Sequence, residues 1–223
     1  IIYMFYSKLN KYKFSIFTLT IILMSSGVQS KLERTILILG DSIGAGYGIP
    51  SENRWTSTLQ DLLDSTNTKV NLINASVSGD TTQGGLSRVS NLLQVHTPEF
   101  LVIELGGNDA LRGYPLDRIK SNLLDITNIA KSYEAKVVIV QMRIPPNYGI
   151  KYTTAFENIF EEVALLTGAN LIPFMLEDIA LDKNLMLPDG IHPNSQAQPL
   201  IAEHFFSYLK PIIEINSQIN KKK

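Results

Sequence analysis

A chain of 223 residues, 44% hydrophobic and 18% charged, can bury one substantial core and falls outside the disordered and fibrous classes. Its formal net charge is −1, and no basic stripe interrupts the middle of the chain, so nucleic acid has no electrostatic footprint to bind. With no cysteine, disulfide frameworks, thiol nucleophiles and cysteine-bound zinc or iron–sulfur clusters are excluded, while the compartment stays open.

The first thirty residues differ from the rest. Lys8, Lys11 and Lys13 precede an uncharged run at 14–24, followed by Ser25, Ser26, Gly27, Val28, Gln29 and Ser30. A basic segment, an apolar stretch of the ~7–15 residues used by export signals and a small-residue end predict a signal peptide over 1–30. Val28 and Ser30 suit the −3 and −1 positions of a cleavage after Ser30. The run falls short of the ~20 apolar residues of a bilayer span. An uncleaved N-terminal anchor is the competing reading, and a lipoprotein signal is excluded because there is no cysteine to acylate. Cleavage removes three lysines and no acids, moving the net charge from −1 to −4. Residues 31–223 then read as a single domain, without repeats or low-complexity linkers, ending in a solvated basic tail at Lys221, Lys222 and Lys223.

Strands are predicted at 35–39, 70–74, 100–105, 136–142 and 170–173. Each is short, rich in Ile, Val and Leu, and lacks polar alternation, as strands covered on both faces of a parallel sheet do. Helical spacing fills the intervals. Trp55, Leu59, Leu62 and Leu63 form one stripe, and Leu86, Val89, Leu92 and Leu93 the next. Leu116, Ile119, Leu123, Ile126 and Ile129 form a third, and Phe156, Ile159, Phe160 and Val163 a fourth. A last helix is predicted over 196–213, with Ile201, Phe205 and Leu209 inward and Pro199 in its first turn. This alternation predicts a three-layer α/β/α sandwich around a parallel sheet.

Ligands of such sheets bind beyond the carboxyl ends of the strands, and four polar segments fall there. The first strand runs into Gly40-Asp41-Ser42-Ile43-Gly44-Ala45-Gly46-Tyr47-Gly48. Glycines around Ser42 permit a sharp turn and an uncrowded hydroxyl, which is a nucleophile if a base lies within reach. A capped turn and a phosphate loop compete with that reading, although neither GxxxxGK[ST] nor GxGxxG is present. After the second strand, Gly79 can present a bare N–H, or merely a turn. After the third, Gly106-Gly107-Asn108-Asp109 offers an amide that stabilises an oxyanion without losing a proton, or again a turn.

The fourth segment is Leu187-Pro188-Asp189-Gly190-Ile191-His192-Pro193. Asp189 and His192 can touch in a loop, so the carboxylate can accept the imidazole Nδ1–H while Nε2 takes a proton from a serine. An incidental histidine in a Pro-Asp-Gly turn is the bland alternative. A single His–Asp pair is a poor metal site, and neither a metal nor a cofactor is expected. His96, near a helix C-terminus, and His204, inside the last helix, suit structural roles.

Taken together, Ser42 in Gly-Asp-Ser, Gly79, Asn108 in Gly-Gly-Asn-Asp and His192 in Asp-Gly-Ile-His-Pro resemble the SGNH (GDSL-like) hydrolase family, in its order. The resemblance covers about 35–213. It is closest to a bacterial branch of periplasmic, multifunctional acyl-CoA thioesterases, proteases and lysophospholipases, through 104–113, 141–149 and 189–199. It departs at Ile43-Gly44, where many relatives carry Leu-Ser. The resemblance implies a flavodoxin-like fold with a five-stranded parallel sheet. It also implies Ser42 as nucleophile, His192 as base, Asp189 as its orienter, and an oxyanion hole of Ser42, Gly79 and Asn108. Expected substrates are acyl thioesters and carboxylic esters, including acyl-CoA, lysophospholipids and aryl esters, bound in an acyl groove lined by 111–115 and 144–150. A periplasmic monomer without a stable membrane anchor is expected. A carbohydrate O-acetyl esterase with the same residues, and a non-catalytic flavodoxin-like binding protein, are the alternatives.

Overall fold

Five apolar runs pair into one parallel sheet in the order β2-β1-β3-β4-β5. The strands are β1 (Arg34–Gly40), β2 (Val70–Asn74), β3 (Phe100–Glu104), β4 (Lys136–Val140) and β5 (Asn170–Ile172). The computed structural model describes residues 34–66 and 69–220. The signal peptide expected over 1–30 and the basic tail at 221–223 lie outside the described residues.

The helices alternate with the strands as α1 (Trp55–Asp64), α2 (Thr82–His96), α3 (Gly107–Leu111), α4 (Leu116–Ser132), α5 (Ile150–Thr167) and α6 (Gln198–Asn220). Helix α1 packs on α6, whereas α4 packs on both α2 and α5. With helices on both sides of a five-stranded parallel sheet, the expected α/β fold is present. Each apolar stripe supplies the buried face of its helix. Leu59 and Leu63, Val89 and Leu93, Ile119 and Leu123, Phe156 and Phe160, and Ile201 and Phe205 are all buried.

Strand β1 is one residue longer at each end than expected, β4 stops at Val140 rather than at 142, and the last helix starts at Gln198 rather than at 196; three further bounds shift for a local reason. Strand β3 stops at Glu104 because Gly106 takes φ 118° and turns the chain into α3. Strand β5 stops at Ile172, before Pro173, which has no N–H to give a ladder. Helix α6 continues past Ile213 to Asn220, with Pro211 inside it. The edge strand β2 is also only partly covered, unlike the fully buried β3.

The strand order places the topological switch between β1 and β3, where connections leave in opposite directions and loops splay apart. There Gly40 and Glu104 are register partners at the carboxyl ends. Trp55 links this rim to the helical layer. Its indole is fully buried, stacks on Phe205 with ring centroids 4.3 Å apart, and donates from Nε1 to Ile43 O at 2.9 Å. Trp55→Ala should therefore cost about 3–5 kcal/mol. Trp55→Phe, keeping a ring but no N–H, should cost less, by urea denaturation of both variants.

Candidate active site

The loop after β1 is a single helical turn. Ala45 N–H donates to Asp41 O at 2.9 Å and Tyr47 N–H to Ser42 O at 2.9 Å. Asp41 caps that turn by accepting Ile43 N–H on Oδ1 at 3.0 Å, so the capping role weighed against catalysis belongs to Asp41 and leaves the Ser42 hydroxyl available.

His192 reaches Ser42 from a tightly laced loop. Leu187 N–H donates to His192 O at 2.7 Å, Asn194 N–H to Leu185 O at 2.8 Å, and Met186 bridges Pro193. Gly190, at φ 67°, supplies the left-handed residue this reversal requires. Within the loop Asp189 Oδ1 accepts the Ile191 and His192 N–H groups at 2.9 and 3.0 Å. Asp189 Oδ2 lies 2.8 Å from His192 Nδ1, and His192 Nε2 lies 2.9 Å from Ser42 Oγ. Partial burial works to raise the Asp189 carboxyl, but the His192 N–H, the imidazole, the Ile191 N–H and the charge of His192 together hold it down at about 2. An ionised Asp189 only accepts hydrogen bonds, so the imidazole proton sits on Nδ1 and the Nε2 lone pair faces the Ser42 O–H. That arrangement can draw a proton from the hydroxyl. Tyr47 lies against the imidazole with ring centroids 4.4 Å apart.

Asn108, in the first turn of α3, donates from Nδ2 to Asp41 Oδ2 at 3.1 Å, which sets its amide beside the residue preceding Ser42. A second Nδ2 proton remains for a ligand. Gly79, at φ 80°, ends a loop pinned to β1 by Val77 N–H donating to Gly40 O at 3.0 Å. Its carbonyl accepts Arg112 Nη2 at 3.2 Å. The neighbouring Asp109 has a structural job: buried, it accepts Thr82 N–H at 2.9 Å and Thr82 Oγ1–H at 2.6 Å at the start of α2.

Residues 38–199 match the GDSL-like Lipase/Acylhydrolase family. The chain is similar to an arylesterase of Vibrio mimicus, 45% identical over 78% of this chain and 87% of that one. It is also similar to the thioesterase 1/protease 1/lysophospholipase L1 of Escherichia coli strain K12, 40% identical over 82% and 86% of the two chains. Among solved structures, the psychrotrophic esterase EstA from Pseudoalteromonas sp., inhibited by monoethylphosphonate, superposes with a TM-score of 0.79 at 39% identity, covering 81% of this chain and 99% of that one. The chain belongs to the GDSL-like lipase/acylhydrolase family. Family membership makes it an SGNH-type hydrolase, which sets aside the non-catalytic binding protein.

Ser42, Asp189 and His192 form one hydrogen-bonded chain, and Asn108 joins it through Asp41. Gly79 is anchored to the same rim through Gly40 and Arg112. Sequence reasoning missed Asp41 beyond its capping role, Tyr47 and Glu104. The available signal for Glu104 was an acid closing an otherwise apolar strand. His204 donates from Nε2 to Pro173 O at 3.1 Å, and His96 ends α2, both apart from the Ser42–His192 chain. Among the described residues no group of three or more His, Asp or Glu is placed to hold a metal ion.

The lowered Asp189 carboxyl ties loop stability to pH. Its contribution is complete above the ordinary Asp value of about 3.9 and disappears as pH falls toward about 2, when the folded carboxylate protonates. Asp189→Asn should be less stable than the parent above pH ~4, and the two denaturation midpoints should converge between pH ~4 and ~2.

Proposed function

We propose that the enzyme is a serine esterase that hydrolyses acyl thioesters and carboxylic esters, with Ser42 as nucleophile, His192 as base and Asp189 as its orienter. The supporting observation is the continuous chain from Asp189 Oδ2 through the imidazole to Ser42 Oγ, with contacts of 2.8 and 2.9 Å. Ser42 Oγ attacks the acyl carbonyl carbon as its proton passes to Nε2. The Ser42 and Gly79 N–H groups and the Asn108 amide then receive the oxyanion. As the C–S or C–O bond breaks, the imidazolium returns that proton to the leaving thiol or alcohol, and an acyl-Ser42 ester remains. Water, deprotonated by the same imidazole, attacks the ester, and the carboxylic acid leaves with Ser42 restored.

Acyl-CoA, lysophospholipids and aryl esters are the proposed substrates, supported by the names of the similar arylesterase and thioesterase/lysophospholipase. A groove of about 490 Å³, lined by Leu116, Tyr148, Ile150, Tyr152 and Ala155, supports acyl binding beyond β3 and β4. Tyr148 O–H donates to Leu111 O at 3.1 Å and Tyr152 O–H to Tyr114 O at 2.9 Å, so the expected 111–115 segment is tied to the groove wall without lining it, and of the expected 144–150 only 148–150 do. The reaction is assigned to the periplasm on the export pattern of 1–30. No described helix is long and apolar enough to cross a membrane.

A fluorophosphonate should label the protein at Ser42, mapped by mass spectrometry. Ser42→Ala or His192→Ala should lower turnover about 10⁴-fold, and Asn108→Ala about 10²–10³-fold. Normal turnover in Ser42→Ala would end this assignment. For the groove, the exposed Ala155 tolerates bulk. Ala155→Phe should lower kcat/KM for a palmitoyl ester relative to a butyryl ester about tenfold, on the ordinary value of hydrophobic pocket contacts. Across a panel from acetyl to palmitoyl esters, activity confined to acetyl esters would favour a carbohydrate O-acetyl esterase instead.

A further inference from the structure

Glu104 takes no part in the chemistry above, yet it lies in the middle of the rim. It closes β3 opposite Gly40, and it is completely buried. Its Oε2 accepts Asp41 N–H and Gly44 N–H, both at 3.1 Å, so one carboxyl oxygen gathers two peptide groups from either side of Ser42. The glycines are shaped around it. A Cβ at Gly40 would collide with Glu104 Oε2 and come within 2.7 Å of Ser76 Oγ. A Cβ at Gly44 would collide with Ser76 Oγ and come within 2.7 Å of Glu104 Oε2. The Ile43-Gly44 departure thus has a steric reason at its second residue.

We propose that Glu104 is a positioning residue for the reaction. Its carboxyl group holds the turn that carries Ser42 and, through Asp41, the amide of Asn108, so that one buried acid sets both nucleophile and oxyanion donor. This rests on the esterase reading of the same site. Burial, and then the negative charge of Asp41, push the Glu104 carboxyl well above its ordinary range. Burial raises Asp41 as well, to about 6, against the opposing pull of the Ile43 N–H, Glu104, His192 and Asn108. The Ile43 N–H and the Asn108 amide are the donors that meet the Asp41 carboxyl directly. An apolar residue at 104 would leave the Asp41 and Gly44 N–H groups buried without an acceptor, which is costly enough to reshape the turn.

Glu104→Asp and Glu104→Gln test this with the intact protein. Glu104→Asp withdraws the carboxyl by one methylene. It should lower kcat for p-nitrophenyl butyrate about 10–100-fold, the cost of misplacing reacting groups by about an ångström, with KM changed by less than about twofold. Hydrogen exchange of the Asp41 and Gly44 amides, followed by NMR, should quicken in the same variant. Glu104→Gln keeps an acceptor oxygen at the same reach. It should recover turnover to about a fifth of the parent's or better, with both amides protected, because a neutral acceptor is all the two N–H groups require.

Unchanged protection in Glu104→Asp overturns the proposal whatever kcat does, as does a parental kcat in that variant. A Glu104→Gln protein that is as slow as Glu104→Asp, or that loses protection at the two amides, overturns it too. If Glu104→Asp does not fold, Glu104→Gln decides alone through that protection. The exchange measurement does not depend on turnover. A parent enzyme that the phosphonate fails to label at Ser42 refutes the esterase reading, while amide protection still answers for Glu104.

Discussion

The contact on which the rest of the site depends is the 2.9 Å hydrogen bond between His192 Nε2 and Ser42 Oγ, made across 150 residues of sequence. A serine hydroxyl is a weak nucleophile at neutral pH, and only a base at this distance changes that. Much of the surrounding structure can be understood as holding the two ends still. Strand β1 carries Ser42 to the rim, and the laced loop from Leu185 to Asn194 carries His192. Buried Gln198 joins the two sides: its Oε1 accepts Trp55 N–H at 3.0 Å, and its Nε2 donates to Asn194 O at 3.1 Å. Trp55 in turn grips Ile43 O, one residue beyond Ser42.

Three carboxyl groups around Ser42 are driven in opposite directions. Asp189 is largely open to solvent and surrounded by donors, so its carboxyl is held down at about 2 and stays charged beside the imidazole. Asp41 and Glu104 are buried together, where two charges cannot coexist at low cost, so both carboxyl groups are raised. Asp189 fixes the tautomer of the imidazole. Glu104 and Asp41 join the Ser42 turn to the Asn108 turn through hydrogen bonds. Similar carboxyl groups thus take different roles because their surroundings differ in solvent and in donors.

Family membership accounts for the sharing of fold and chemistry with esterases and thioesterases. The groove is lined by the starts of α4 and α5 together with Tyr148 and Gly149 from the connection before α5. Two tyrosines tie this wall to Leu111 and Tyr114 through backbone carbonyls rather than through core packing. The groove can therefore change shape by local substitution while β1, β3 and the His192 loop stay fixed.

The sequence alone determined the strand and helix order, the buried stripes and the four polar segments, because apolar periodicity and glycine-rich turns are local properties. It also singled out Asp189 and His192 as a pair, since three residues of loop suffice to bring them together. The exact ends of β3, β5 and α6 were less legible, because a glycine turn, a proline or continued helical bonding decides them. Only the tertiary structure decided that Asp41 is shared between Ile43 and Asn108, and that Tyr47 lies on the imidazole. It alone showed that Gly40 and Gly44 are small to make room for Glu104 and Ser76. The approach of Glu104 to Gly40 follows from the parallel register of β1 against β3, which places residue 40 opposite residue 104. Register is a relation between segments distant in the chain, and no local pattern in either segment contains it.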